Sequence, residues 1–389
     1  MNWDGPVWGR TDERHMTRVI DYSAPGDHRA VVQAALDASR EPQLLGLPCE
    51  SGYLLATSSM NAAAVARLLE VANAVGRVPC LCLSHAGQIE DYVESVSPRI
   101  LRLAQRSWPG PVILEFEPTS KWNGPPLAAA LIAHHERHPL RFAGFGHPLH
   151  VGLARVQREP LVVLEMPAPE GGSWATADGL ELAHAWGERI GLIVNAGFVS
   201  CPQGATSVRF APSGEWSITQ PGVYSPDQIT QLLAKMVLFV CTGNTCRSPL
   251  AEGLFRSLLC QRLECTEADL VRRGFIVASA GVSATPGAEA SPETIDILRE
   301  EGIDLSDHAS QPVTDQLVAW ADLILAMTSR HQSAITGAFP HSLSKVEQIC
   351  VDGYDIADPI GGEYSVYAEC RDQIRQCLEH WLECVISEV

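Results

Sequence analysis

The sequence predicts an α/β protein in two parts. One is a mixed α/β domain over residues 1–234; the other is a four-stranded, parallel, doubly wound domain over residues 235–389. Three observations carry this. The length, 389 residues, exceeds a single ordinary core, since domains usually span roughly 100–200 residues. In the second part, apolar runs of strand length alternate strictly with capped helical segments, the pattern of a parallel sheet wrapped by helices. At residue 235 the helical SPDQITQLLAK, capped by Ser225 with Pro226 in first position, gives way to the apolar MVLFVC. No Pro/Gly/Ser linker intervenes, so the two domains are expected to be closely coupled.

In the first part, PQLLGLP, GPVILEFEP, EPLVVLEM and RIGLIVNAG are short apolar runs bounded by Gly or Pro, and predict strands. Asn61–Ala72, Ser97–Arg106 and Asp178–Glu188 predict helices. In the second part MVLFVC predicts a strand buried on both faces. SPLAEGLFRSLLCQRL follows as a helix, then FIVASAG as a strand. SPETIDILREEG has a Ser cap, Pro next to it and Gly at its stop, and predicts a helix. ADLILAM is a strand, Ser329–Thr336 a short helix, KVEQIC a fourth strand and Tyr364–Glu388 a long final helix. In such a sheet ligands bind at the carboxyl ends of the strands.

Charge narrows the partners. The formal net charge is -18, and residues 236–389 supply -13 of it, from 23 acidic and 10 basic residues. Such a surface repels polyphosphate backbones, so nucleic acid is not an expected partner. Only Lys121, Lys235 and Lys345 are lysines, so an anion site must rely on arginine and backbone N–H groups. No run of 18 apolar residues exists, so no membrane span is expected. The first residues hold acids and no apolar core; the expectation is no signal peptide and a cytoplasmic protein. In that compartment the 12 cysteines are expected to form no disulfide framework and to be mostly buried, small apolar residues. Their spacing offers no CxxC pair, and no metal or other cofactor is expected.

The first strand of the second part ends in Cys241-Thr-Gly-Asn-Thr-Cys-Arg-Ser248, with Pro249 next. A bare C-x5-R spacing arises about once by chance from 12 Cys and 25 Arg. Its place between an apolar strand and a capped helix is what gives it meaning. There the N–H groups of Thr242, Gly243, Asn244, Thr245 and Cys246 can converge on one anion at a positive helix end. A phosphoryl group needs a nucleophile, a charge clamp and a leaving-group acid. Cys241, at the centre of that ring, is the candidate nucleophile, because surrounding N–H groups favour a thiolate. Arg247 offers a planar fork for two phosphoryl oxygens. Ser248 can hydrogen-bond the thiolate as well as cap the helix, and the Asn244 side chain can lock the loop. Asp358-Pro359, on a loop before the last helix, suits the acid. Asp352 and Asp355 compete, and spacing alone does not choose among them.

FVCTGNTCRSPLAEGLF, then SAGV, ADLILAM and DPIGG, resemble the low-molecular-weight protein tyrosine phosphatase family over about Met236 to Val389. The resemblance implies a flavodoxin-like sheet. It makes Cys241 the nucleophile that forms a phosphocysteine, Arg247 the clamp, and Asp358 the general acid and then base. It implies no metal, and a protective reversible disulfide between Cys246 and the nucleophile. Within that family the chain is similar to the bacterial protein arginine phosphatases. These carry Thr, here Thr245, where tyrosine phosphatases carry a larger aliphatic residue. Ile360 departs from the aromatic expected in their acid loop.

GLPCESGYLL, WPGPVILEF and IVNAGFVSCPQGATSV resemble, more faintly, the YrdC-type threonylcarbamoyl-AMP synthase family over about residues 17–234. That family implies a basic cavity for ATP, threonine and bicarbonate, serving tRNA modification. The departures are large. The Thr-x-Thr-x-Tyr-Gly-Leu segment is Cys49-Glu-Ser-Gly-Tyr-Leu-Leu55, Lys-x-Arg aligns with Ala72-Asn73-Ala74, and Ser-Ala-Asn is not recognisable near Leu164–Pro167. Desolvated phosphates need paired cations, and besides arginines such as Arg77 this domain has only Lys121. The expected function is thus a protein phosphatase acting on phosphoarginine or phosphotyrosine, with a degenerate YrdC-like domain lacking synthase activity. The alternatives are a bifunctional protein that also makes threonylcarbamoyladenylate, and an N-terminal module that binds a nucleotide or a partner protein and regulates the phosphatase.

Overall fold

The structure is a computed structural model that describes residues 17–22, 28–118, 122–166, 179–186, 189–197 and 203–387. It divides into two compact units, Met1–Pro226 and Asp227–Val389. Among the described residues no helix is long and apolar enough to cross a membrane.

The first unit is built on a mixed ten-stranded sheet in the order β1-β8-β2-β3-β7-β4-β6-β5-β9-β10. In chain order the strands are β1 Arg18–Asp21, β2 Leu44–Cys49, β3 Gly52–Ser58, β4 Cys80–Cys82, β5 Gly110–Phe116, β6 Leu140–Gly144, β7 Leu161–Glu165, β8 Ile190–Asn195, β9 Thr206–Phe210 and β10 Trp216–Gln220. The helices are α1 His28–Ala38, α2 Ala62–Val75, α3 Pro98–Ser107, α4 Ala129–His135, α5 Pro148–Val156 and α6 Gly179–Trp186. The four strands expected here are β2, β5, β7 and β8, and the three expected helices are α2, α3 and α6. Asn61 caps α2 through Ala64 N, and Gly76, at φ +65°, stops it. The sheet is wider than expected. One apolar stretch around Glu50-Ser51 folds into the β2–β3 hairpin, and β9 and β10 are short strands with polar residues among the apolar ones.

Charges cross this sheet inside the protein. Arg141 on β6 meets Glu115 on β5 at 2.9 Å, Ser207 Oγ on β9 at 2.9 Å and Glu165 on β7 at 3.7 Å. Arg209 and Thr219 also hold Glu115, at 3.1 and 2.9 Å. Removing such charges from water is tolerable because each finds a partner of opposite sign.

The second unit comprises α7 Pro226–Leu233, β11 Lys235–Cys241, α8 Arg247–Leu263, β12 Phe275–Gly281, α9 Pro292–Glu300, α10 Asp315–Trp320, β13 Leu323–Ala326, α11 Ser329–Ala338, β14 Val346–Gln348 and α12 Tyr364–Ile386. Its sheet has four strands, all parallel, in the order β12-β11-β13-β14. Side chains alternate across β11. Val237 and Phe239 pack beneath α8, α9 and α12, while Met236, Leu238 and Val240 face residues of α10 and α11 such as Val318 and Ile335. β11 is buried at all seven positions, which is why its sequence after Lys235 shows a continuous apolar run and no alternation. This is the doubly wound, flavodoxin-like fold. Chain order reverses around β11, so the loops after β11, β12, β13 and β14 open at the same end of the sheet.

Candidate active site

The loop from Cys241 to Arg247 leaves β11 and enters α8. Cys241 is 3 % exposed. Its Sγ lies 3.2 Å from Asn244 N and 3.0 Å from Ser248 Oγ. A thiolate there accepts from both, while the Ser248 hydroxyl has Ala280 O at 3.3 Å as its other acceptor.

Asn244 fixes the loop. It takes φ +57°, a left-handed conformation that Asn tolerates better than most residues. Its Nδ2 donates to Ser248 Oγ at 3.0 Å and Ser279 Oγ at 2.7 Å, and its Oδ1 accepts Gln311 N at 2.9 Å. His308 Nε2 sits 2.8 Å from its carbonyl. Ser279 in turn donates to Glu252 at 2.5 Å. Gly281, at the end of β12, is where the loop presses closest. A Cβ there would meet Thr242 O at 2.5 Å and Asn244 N at 2.9 Å, so the position admits only glycine.

Thr242 Oγ1 lies 2.8 Å from His331 Nε2, and the other ring nitrogen faces Thr328 Oγ1 at 2.8 Å. Burial, with Arg247 adding to it, holds His331 down at about 4. The imidazole is therefore neutral at pH 7 and adds no charge to the cradle.

Arg247 is buried, and its guanidinium points out of α8 towards the segment after β14. Nη1 donates to Ile356 O at 3.1 Å and Nη2 meets Asp358 Oδ2 at 2.5 Å. The three candidate carboxylates separate here. Asp358 is at the arginine fork. Asp355 is committed elsewhere, accepting Ser329 N at 2.7 Å and Gln348 Nε2 at 2.8 Å, which ties α11 to β14. Asp352 is exposed on the turn that follows β14. Thr245 is half-buried, and Cys246 packs against Ser291 Oγ at 3.5 Å and Tyr367 OH at 3.6 Å. Ile360 is 70 % exposed beside Asp358.

Cys241 and Cys246 are both free thiols, but the cysteines are not all unpaired. Cys350, just after β14, is bonded to Cys377 on α12. The expectation of unpaired thiols rested on compartment alone. It had no means of seeing that the fold brings these two Cα atoms to 5.1 Å, inside the usual bridging range.

The motif brings Cys241, Asn244, Arg247 and Ser248 together by itself, and the fold adds Asp358. Sequence reasoning missed His331, His308, Gln311 and the role of Ser279. Ser279 and Gly281 lie in SAGV, which carried part of the resemblance; the two histidines and Gln311 have no local signal.

In the first unit, the Thr-x-Thr-like position holds Glu50, whose Oε1 accepts Gly146 N at 2.5 Å. Burial pushes the neighbouring Cys49 thiol up to about 12. Tyr53 OH donates to Asn195 Oδ1 or Gly197 O, at 3.2 and 3.0 Å. Ala72 is buried in α2 and Asn73 and Ala74 are exposed, so the Lys-x-Arg position supplies no cation. Arg77 Nη1 rests on Gln220 Oε1 at 3.5 Å. Lys121, Cys201 and the segment after Met166 lie outside the described residues.

Comparison with known proteins assigns both parts. Residues 236–389 match the family described as low molecular weight phosphotyrosine protein phosphatase, and residues 37–222 the Sua5/YciO/YrdC family, described as telomere recombination. Over 146 residues the chain is 39% identical to the protein-arginine-phosphatase of Bacillus subtilis, covering 36% of this chain and 91% of that one. The chain belongs to the low molecular weight phosphatase family. A second protein-arginine-phosphatase, from Geobacillus stearothermophilus, is 38% identical over 39% of this chain and 97% of its own length. A probable low molecular weight protein-tyrosine-phosphatase, EpsP of Ralstonia nicotianae, is 32% identical over 39% and 95%. The phosphatase match falls in the second unit, and the Sua5/YciO/YrdC match, over residues 37–222, in the first.

Proposed function

We propose that the second unit hydrolyses phosphorylated protein side chains through a phosphocysteine on Cys241. One observation carries this reading: the Cys241 thiol, the loop N–H groups and the Arg247 fork meet at a strand end with Asp358 beside them. Bound phosphoryl oxygens engage the Arg247 fork and the loop amides, in competition with Asp358. Asp358 then faces the leaving atom. Cys241 Sγ attacks phosphorus, the bond to the leaving oxygen or nitrogen breaks, and Asp358 protonates it. In the second step Asp358 takes a proton from the water that displaces Cys241. Asn244 and Ser248 hold the thiolate throughout. The activity needs no metal or other cofactor, and its partners are phosphorylated proteins.

Phosphoarginine is the preferred substrate on this reading. The phosphoryl group sits in the same way whatever carries it, so selection rests on what surrounds the leaving group. Thr245 offers a hydroxyl to a polar guanidinium or to water, where an aliphatic side chain would offer only an apolar wall for a phenol ring. Satisfying a polar group discriminates more than a methyl-sized change in volume, worth about 1–3 kcal/mol. Two of the relatives above are named arginine phosphatases, which supports the same choice. Turnover of phosphoarginine, phosphotyrosine and phosphoserine peptides tests it. Phosphoarginine should give the highest kcat/KM, and Thr245→Ile should shift the ratio towards phosphotyrosine. A wild type that prefers phosphotyrosine, or a ratio unmoved by Thr245→Ile, sinks the assignment.

The first unit is proposed to lack synthase activity. Among the described residues the buried charges of Arg141, Glu115 and Glu165 are already paired with one another, and the Lys-x-Arg position is neutral. Given ATP, threonine and bicarbonate, the protein should release no threonine-dependent pyrophosphate. Robust release would establish the bifunctional alternative instead.

A further inference from the structure

One stripe of α12 runs from the phosphate loop to the far end of the acid segment. Tyr367 OH approaches Cys246 Sγ at 3.6 Å, and Cys370 Sγ faces Ala357 O at 3.9 Å. Cys377 is bonded to Cys350, and Trp381 Nε1 donates to Ile349 O at 2.7 Å. Positions 367, 370, 374, 377 and 381 recur at the three- and four-residue steps that align side chains on one helix face. The chain from β14 to Asp358 is thereby moored to α12 at Ile349, Cys350 and Ala357, and to the sheet through Ile356 N to Met327 O at 2.9 Å.

Among these moorings the Cys350–Cys377 bond is the only covalent one, and it is the one disulfide among the described residues, where nine other cysteines are free. A chain whose nucleophile must stay a thiol works where thiols are kept reduced. A solitary bridge in such a setting belongs with switchable disulfides rather than with structural frameworks. It is also separate from the Cys241–Cys246 pairing, since neither of its sulfurs belongs to the phosphate loop.

We propose that the Cys350–Cys377 bridge is a redox-operated positioning device for the acid loop. Closed, it holds the segment leading to Asp358 against α12, so that the carboxyl stays at the Arg247 fork. Opened by a cellular dithiol, it frees the start of that segment, and protonation of the leaving group falters while attack by Cys241 persists. The exchange balances in two steps. A thiolate of the dithiol attacks Cys350 Sγ, the S–S bond breaks, and Cys377 leaves as a thiolate that takes a proton. The dithiol's second thiolate then displaces Cys350 and departs as the oxidised disulfide. The Tyr354 hydroxyl, 3.3 Å from Cys377 Sγ, can donate to that leaving sulfur.

This rests on Asp358 being the acid, and the test separates the two ideas. The full-length protein is prepared with the bridge closed, confirmed by intact mass, then opened with a phosphine. Turnover is followed on p-nitrophenyl phosphate, whose leaving group needs little protonation, and on phenyl phosphate, which needs it. Opening should lower kcat/KM, which reports phosphocysteine formation alone, about tenfold on phenyl phosphate, within the range of acid–base catalysis, and leave kcat/KM on p-nitrophenyl phosphate within about twofold. Cys350→Ser and Cys377→Ser should give the opened behaviour without phosphine. The proposal is overturned if opening leaves both substrates unchanged, if both fall together, or if air-equilibrated protein never forms the bridge. If Asp358→Asn shows no such leaving-group dependence, it is the acid assignment that fails.

Discussion

Cys241→Ser should lower turnover of any phosphomonoester or phosphoramidate by at least about a thousandfold, because an unactivated hydroxyl is a poor nucleophile at neutral pH. The fold should survive. Cys241 closes a buried strand, and a serine there still finds Asn244 N and Ser248 Oγ as hydrogen-bond partners. Steady-state hydrolysis of p-nitrophenyl phosphate, with circular dichroism and a melting curve on the same sample, checks both halves. Activity above a few per cent of wild type in a folded variant would assign the nucleophile to another residue.

Asp358→Asn should lower turnover by roughly 10²–10⁴-fold on substrates with poor leaving groups, the usual worth of general acid–base catalysis. The loss should shrink as the leaving group improves. The substitution keeps a hydrogen-bond acceptor near Arg247 but removes the proton that the leaving atom needs. Asp352→Asn and Asp355→Asn are the controls, and neither should change the leaving-group dependence. The Asp355 carboxylate holds Ser329 N and Gln348, so its variant should affect the stability of the β14–α11 corner instead. If either control reproduced the graded loss, the acid would lie there and not at position 358.

Much of the second unit was legible in the sequence because each element carries its own punctuation. Ser291 and Pro292 open α9, and the left-handed Gly302 follows its end, as the motif SPETIDILREEG states. The Cys241–Ser248 loop was legible because Cys241, Arg247 and Ser248 sit within eight residues, but the cap expected of Ser248 is not made: Cys246 precedes α8 without a side-chain cap, and Ser248 Oγ turns to Cys241 Sγ and Ala280 O. The choice of Asp358 over Asp352 and Asp355 was not legible from spacing. It depends on which carboxylate the chain brings to Arg247 after it leaves β14, a matter of tertiary path. The same holds for His331, which reaches the loop from the first turn of α11, for His308, which reaches it from the segment between α9 and α10, and for the Cys350–Cys377 pair, 27 residues apart. In the first unit, β3 was hidden because the Glu50-Ser51 turn carries neither Gly nor Pro, and β10 because its short polar-rich run resembles a loop.

The hydrogen bonds that shape the Cys241–Arg247 loop run from Asn244 to Ser279, Gln311 and His308, and none of them involves the anion. A cradle shaped by the protein's own bonds holds phosphoryl oxygens whatever carries them, and cannot tell a phosphoryl group still attached to a protein from one already released. Orthophosphate should therefore compete with substrate for the same seat, as should sulfate and vanadate. Flux through the enzyme would then be throttled by its own end product, with ambient orthophosphate acting as a standing brake.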